Sequence, residues 1–370
     1  DSSWTTFPLC TQCKTVRSLV AVLAAVFFPA FLEGEEGAFW GFEGARTAYD
    51  GQVWFSALES PSAYPAAVEP LLRAFEERTG RELVPERHGR AALKIYTNSG
   101  VGLHTPRPLV RAVIAALVER GFARDDLFIV DAREDLLREC GFLPPLSRME
   151  AEGPYFEGVR VHALDSGELR SPTWFYESPL PREFTSPLGR ELLKAPLQED
   201  PEEARKSFLP APLLTGVDFW INLPMVCHHP AMGLSGALAN ASLWNITNGT
   251  RFFNSPANAP VAIAEIAAIP ELLDTWAFTL LSQREYQYIG GPAYNANYTR
   301  ESSRLLLAVD PVILDAVMVQ QVNTARAERG FEQLPPVPPF LEYAMELGLG
   351  QGIATGAVFE KAKRSISLAD

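Results

Sequence analysis

Cysteine is scarce. Four residues in a chain of 370 cannot build a disulfide scaffold, and only Cys10 and Cys13 stand at a C-x-x-C spacing. One such pair supplies half of a tetrahedral zinc or iron–sulfur shell, and no second pair follows at a suitable distance. Cys140 and Cys227 are isolated and read as buried, inert thiols. Basic clusters are lacking too. The formal charge is −13, and the densest cationic stretch, Arg78 to Arg90, is broken by Glu82 and Glu86. Duplex binding draws its affinity from clustered Lys and Arg, so nucleic acid is excluded as a partner. No apolar run reaches the roughly 20 residues that span a bilayer, which argues against a stable membrane span. Absent as well are a G-x-S-x-G elbow, an H-E-x-x-H helix, a Walker loop and a calcium loop, and with them go the common hydrolase, metalloprotease and ATPase readings. There is no internal repeat.

What the chain does have is apolar content: 47% hydrophobic and 11% aromatic residues suffice for a large core. Near the start, Lys14 and Arg17 precede an apolar run from Leu19 to Leu32, followed at once by Glu33, Glu35 and Glu36. Positive, then apolar, then polar is the order of a secretory signal peptide. Residues 1–36 are therefore expected to be a signal peptide with upstream residues, and the segment at 14–32 to direct export to the periplasm or beyond. A buried N-terminal helix is the alternative. Residues 37–370 are expected to form the α/β domain, with a wrapping segment at 37–64 and a proline-rich excursion at about 144–212.

Periodicity predicts a helix over Ala66 to Thr79, stopped by Gly80. A strand follows at Ala92 to Thr97. Thr105 is the expected N-cap of a helix with Pro106 at its first position and an apolar stripe through Leu109, Val110, Val113, Ile114 and Leu117; Gly121 ends it. Leu127 to Val130 reads as a strand and Asp131 as the opening of the next helix. Further strands are expected at Val159 to Leu164, Val217 to Leu223, Leu273 to Leu280 and Arg304 to Val309. Asp310 and Pro311 then start a helix that Gly330 closes. Strand and helix alternating at this spacing predict an α/β fold: a mainly parallel sheet with helices on both faces, layered αβα.

Two stretches could carry chemistry. The turn from Asn98 through Ser99, Gly100 and His104 to Thr105 follows a strand and precedes a helix, a setting where backbone N–H groups and the helix dipole favour an anion. Lys94 and Arg107 would add positive charge. The second stretch, Cys227-His228-His229, follows the Val217 strand and leads to Asn240. An imidazole there could transfer protons or bind metal, although neighbouring positions in extended chain point apart, so at most one faces a site. A core histidine bonded to backbone is the alternative. Asn240, Asn245, Asn248 and Asn297 match the N-x-Ser/Thr pattern, but side-chain amides that fix loop turns are the simpler account.

At these residues the chain resembles the bacterial and archaeal family called domain of unknown function 362. The likeness covers roughly residues 90 to 140 and 215 to 352. It rests on the Lys94 strand, Thr105-Pro106, Ile129-Val130-Asp131, Leu223-Pro224 leading to His229, Gly236 to Asn240, Asp310-Pro311 to Asp315 and Gly348-Leu349-Gly350. That family is remotely similar to the nickel-pincer lactate racemases, which attach a cofactor through a histidine and a nearby lysine. On that likeness His229 matches the histidine, but Ala239 stands where the lysine would be, so no covalently attached cofactor is expected. The resulting expectation is an exported protein with a small anionic, carboxylate-type ligand held by Lys94, Asn98, Ser99, Gly100, His104, Thr105, Arg107 and Asn240, and with His229 as general acid or base. A non-catalytic binding protein derived from such an enzyme, or a metal site at His228 or His229, are the alternatives. Substrate and oligomeric state are not written in the sequence.

Overall fold

The computed structural model describes residues 52–178 and 205–350. The expected signal segment, the Cys10 and Cys13 pair and most of the wrapping segment lie outside these residues. The main sheet is built from β1 (Trp54–Ala57), β2 (Ala91–Lys94), β3 (Leu127–Asp131), β4 (Tyr155–Phe156), β5 (Val159–Ala163), β6 (Phe219–Asn222), β7 (Trp276–Ser282) and β8 (Arg304–Ala308), in the spatial order β1-β8-β7-β6-β2-β3-β5-β4. The five central strands, β7 to β5 in that order, are mutually parallel. β8 runs antiparallel to β7, as β1 does to β8 and β4 to β5. The sheet is thus mixed and mostly parallel.

The antiparallel direction of β8 follows from its connection. No helix long enough to cross the sheet lies between Ser282 and Arg304, so the chain turns back on the same edge. The central strands carry almost unbroken apolar runs because both faces are covered. Alternate residues serve separate cores. On one face Leu93, Ile129, Ile221 and Phe278 pack with helices α1 (Tyr64–Thr79) and α2 (Arg107–Glu119). On the other, Ala92, Phe128, Val130 and the stacked pair Trp220 and Trp276, with centroids 4.9 Å apart, pack with residues of α4 (Ala237–Ala241), α5 (Asn258–Ala267), α6 (Pro311–Glu328) and α7 (Pro339–Glu346). The short α3 (Glu134–Glu139) follows β3.

Several local expectations hold. Gly80 takes φ +69 and donates its N–H to Glu76 O, which ends α1 as a left-handed cap. Asp310 Oδ1 accepts from the N–H groups of Val312 and Ile313 at the start of α6. Three details differ. Thr105 does not cap α2: its hydroxyl donates to Leu223 O and accepts from Tyr96 N, so it ties the exit of β2 to the exit of β6. Asp131 does not open a helix but ends β3. The strand expected from Leu273 begins instead at Trp276, because Pro270 starts a short helical turn over Pro270–Thr275. The proline-rich excursion contains β4, β5 and both strands of an antiparallel ribbon, Arg170–Glu177 against Lys206–Pro210. A four-stranded sheet of short strands includes Cys227–His229, Gly233–Ser235, Tyr286–Gln287 and Thr299–Arg300.

Candidate functional site

Parallel strands bring their carboxyl ends to one edge, and here three of those ends are polar and buried. Lys94 closes β2, Asp131 closes β3 and Asn222 closes β6, with Lys94 in register with Asn222 and Asn222 with Thr279 of β7. Lys94 Nζ donates to Asp131 Oδ1 at 2.7 Å, to Ile95 O at 2.6 Å and to Asn240 Oδ1 at 3.1 Å. Asp131 Oδ2 accepts from Thr97 Oγ1, and Asn240 Nδ2 donates to Asn222 Oδ1 at 2.8 Å. Asn222 Nδ2 in turn reaches Ala237 O and Thr279 Oγ1. An ammonium has three protons, and all three of these are engaged inside the protein. Burial pushes the Lys94 amine below its ordinary value while Asp131 pulls it back. The group expected to hold an anion is therefore spent on the sheet, as is the Asn240 amide.

A second buried carboxyl stands next to this ladder. Asp315 of α6 accepts from Ala237 N at 2.6 Å and Leu238 N at 2.9 Å, and burial raises it to about 7. Gly236 is required for that approach: a Cβ there would fall 2.1 Å from Asp315 Oδ1. Gly236→Ala is expected to displace Asp315 and cost about 1–3 kcal/mol, read by chemical denaturation, as overpacking at a rigid site does.

The glycine turn is closely covered. Gly100, at φ +83, donates to Thr97 O. The Tyr294 ring occupies the space a side chain at Gly102 would need, and Tyr294 N donates to Ser99 O. Ser99 Oγ bonds Tyr96 OH at 2.8 Å. His104 places Nδ1 2.8 Å from Thr105 O, which makes Nδ1 the protonated nitrogen, and its ring meets Phe142 edge-on; burial lowers its pKa. Arg107 is exposed beside Gly141.

Of these turn residues, Asn98 alone lines a cavity of about 500 Å³ beyond the carboxyl ends of β2, β3 and β5. Its walls come from Ala132 and Arg133 after β3, Leu164 and Asp165 after β5, Arg170, Lys206 and Phe208 of the ribbon, and the segment from Leu243 to Thr250. The Arg170 guanidinium lies 3.7 Å from the centroid of the Phe208 ring, and Lys206 Nζ lies 4.6 Å from that of Phe175. Arg133 pairs with Asp135, whereas Lys206 has no ion-pair partner among the described residues. Asp165 accepts from Glu134 N, and burial raises its pKa. Asn98 Nδ2 is buried without a hydrogen-bond partner among the described residues.

His229 does not line this cavity. It is 3% exposed, its ring lies 4.4 Å from that of Phe253, and Nδ1 accepts from Ala231 N at 3.2 Å. Trp244, which does line the cavity, touches His229 edge-on at 6.0 Å between centroids. Burial holds both His228 and His229 down at about 4, and neutral at physiological pH. Among the described residues no three His, Cys, Asp or Glu side chains are grouped as metal ligands would be. Ala239 is fully buried in the apolar core and offers no amine, so this stretch does not fit a cofactor held through histidine and lysine. The amides act in the loops: Asn248 Nδ2 donates to Lys206 O and its Oδ1 accepts from Ser207 Oγ, while Asn240 and Asn245 are fully buried.

Sequence reasoning missed Arg133, Arg170, Lys206 and Trp244. Charged residues in a proline-rich stretch carry no periodic signal, and Trp244 was hidden in an asparagine-rich run. No protein-family model matches the chain, and no curated protein matches it significantly.

Proposed function

We propose that the protein binds a small organic anion in the cavity at the carboxyl edge of its parallel strands, without a histidine-driven reaction. The observation that carries this reading is the lining: among the described residues it holds Arg170, Lys206 and the Asp135-paired Arg133 with one carboxylate, Asp165, in a chain whose net charge is −13. Ligands of open α/β sheets sit at such strand ends. In this reading the sheet is the middle layer of an αβα sandwich, the chain is an exported relative of the family it resembles, and the turn residue Asn98 supplies a donor beside the charged groups. Lys206 is the main anchor, since among the described residues no carboxylate pairs with it.

A panel of carboxylates screened by thermal shift and confirmed by titration calorimetry tests this. Lys206→Gln is expected to weaken the best carboxylate by about 1.5–3 kcal/mol, the usual loss of a charge-assisted hydrogen bond, with the unfolding midpoint of the free protein unchanged. Equal affinity in the variant removes the proposal. The catalytic alternative keeps one support, the contact between His229 and the cavity residue Trp244. It requires turnover of a bound anion that His229→Gln abolishes without loss of binding.

A further inference from the structure

We infer that the anion is amphipathic, a flat aromatic carboxylate rather than a small hydrophilic acid, an inference that rests on the binding reading above. Size is the first ground. A space of about 500 Å³ lies within the roughly 300–1,000 Å³ that drug-sized molecules fill, far more than a two- to four-carbon acid occupies. The division of the walls is the second. Leu164, Phe208, Leu243, Trp244 and Ile246 all line the cavity, and each is buried to 6% exposure or less. The cationic groups, by contrast, stand toward solvent, with Arg133 and Arg170 exposed and Lys206 partly so. A hydrophilic acid would meet the charged rim and leave the apolar floor wet. A ring system covers that floor at about 25 cal/mol per Å² of apolar surface removed from water, while its carboxylate stays at Lys206 and Arg170.

The planar preference comes from the aromatic groups. Phe208 carries the Arg170 guanidinium on its ring, and Trp244 is held in place by its Nε1 bond to Ser235 Oγ at 2.8 Å and by Phe253 at 5.2 Å. A rigid indole in the cavity wall loses little entropy on binding, which favours a flat, rigid partner over a flexible one.

The test uses the full-length protein and three probes, 2-naphthoate, malonate and 2-naphthylmethanol, followed by calorimetry and tryptophan fluorescence. Expected is binding of 2-naphthoate about tenfold or more tighter than either other probe, equivalent to about 1.4 kcal/mol. Trp244→Phe, which keeps an aromatic wall and the fold, should remove most of the fluorescence response to 2-naphthoate. Lys206→Gln should weaken 2-naphthoate and leave 2-naphthylmethanol unchanged. Malonate binding as tightly as 2-naphthoate overturns the amphipathic inference and leaves the anion reading standing. Failure of both anions to bind overturns both. Equal binding of 2-naphthylmethanol and 2-naphthoate shows an apolar pocket indifferent to charge and overturns both as well.

Discussion

Lys94→Met destabilises the protein by about 3–5 kcal/mol in guanidinium unfolding, the cost of leaving a buried charge without its partner. Lys94 and Asp131 are both fully buried and 2.7 Å apart, so the variant strands a carboxylate whose one remaining side-chain donor among the described residues is Thr97. It also orphans the Asn240 oxygen and weakens the link to Asn222. Lys94→Met combined with Asp131→Leu should recover much of the loss, because removing both members of a buried pair is far cheaper than removing one. If the single variant unfolds at the wild-type midpoint, the ladder is not what joins β2 to β3 and to the helix that carries Asn240.

Acidification brings the second large effect. The folded pKa of His229 is depressed from 6.5 to about 4, so its contribution is complete above pH 6.5 and is lost as pH falls toward 4, where the unfolded chain takes up a proton that the folded one refuses. Asp315 has the opposite sign. Its folded pKa is raised from 3.8 to about 7, so its stability is complete below pH 3.8 and is lost as pH rises through 7. Between pH 4 and 6.5 each group changes stability by about 1.4 kcal/mol per pH unit, in opposing directions, and His228 adds to the histidine side. Asp315→Asn should therefore steepen the acid loss of stability, and His229→Gln should flatten it, by roughly 3 kcal/mol over the window. Unfolding midpoints measured at half-unit pH intervals read both slopes. Parallel profiles for wild type and His229→Gln would mean that the ring is accessible to protons in the folded protein.

The sequence spoke most clearly where the signal is local. A glycine that must take positive φ, as at Gly80 and Gly330, and an aspartate before a proline, as at Asp310, each fix an element boundary with few partners involved. Strand direction depends on what lies between strands. β8 resembled its parallel neighbours because its apolar run is the same, and only the missing crossover helix distinguishes it. Lys94 was singled out for the positive charge it could add to the glycine turn, and Asn240 for its place after the histidines. Their chemistry was misjudged because nothing in a linear pattern shows that a lysine at 94, an aspartate at 131 and an asparagine at 240 satisfy one another. The cavity was the least legible part, since two of its three cations come from a ribbon whose strands start 36 residues apart (170 and 206) and whose pairing no alternation announced.

The ladder at the strand ends also governs how the chain can assemble. Residues 94, 131, 222, 240 and 279 meet in one hydrogen-bonded row, so a nascent chain that has emerged only as far as β5 holds its lysine and aspartate at an unfinished edge, with no amide yet to accept the third proton. Such long-range closure is slow and cooperative. Partial products of synthesis or of proteolytic nicking between β5 and β6 should consequently depend on chaperones, and reach a stable state only when the second half of the sheet arrives.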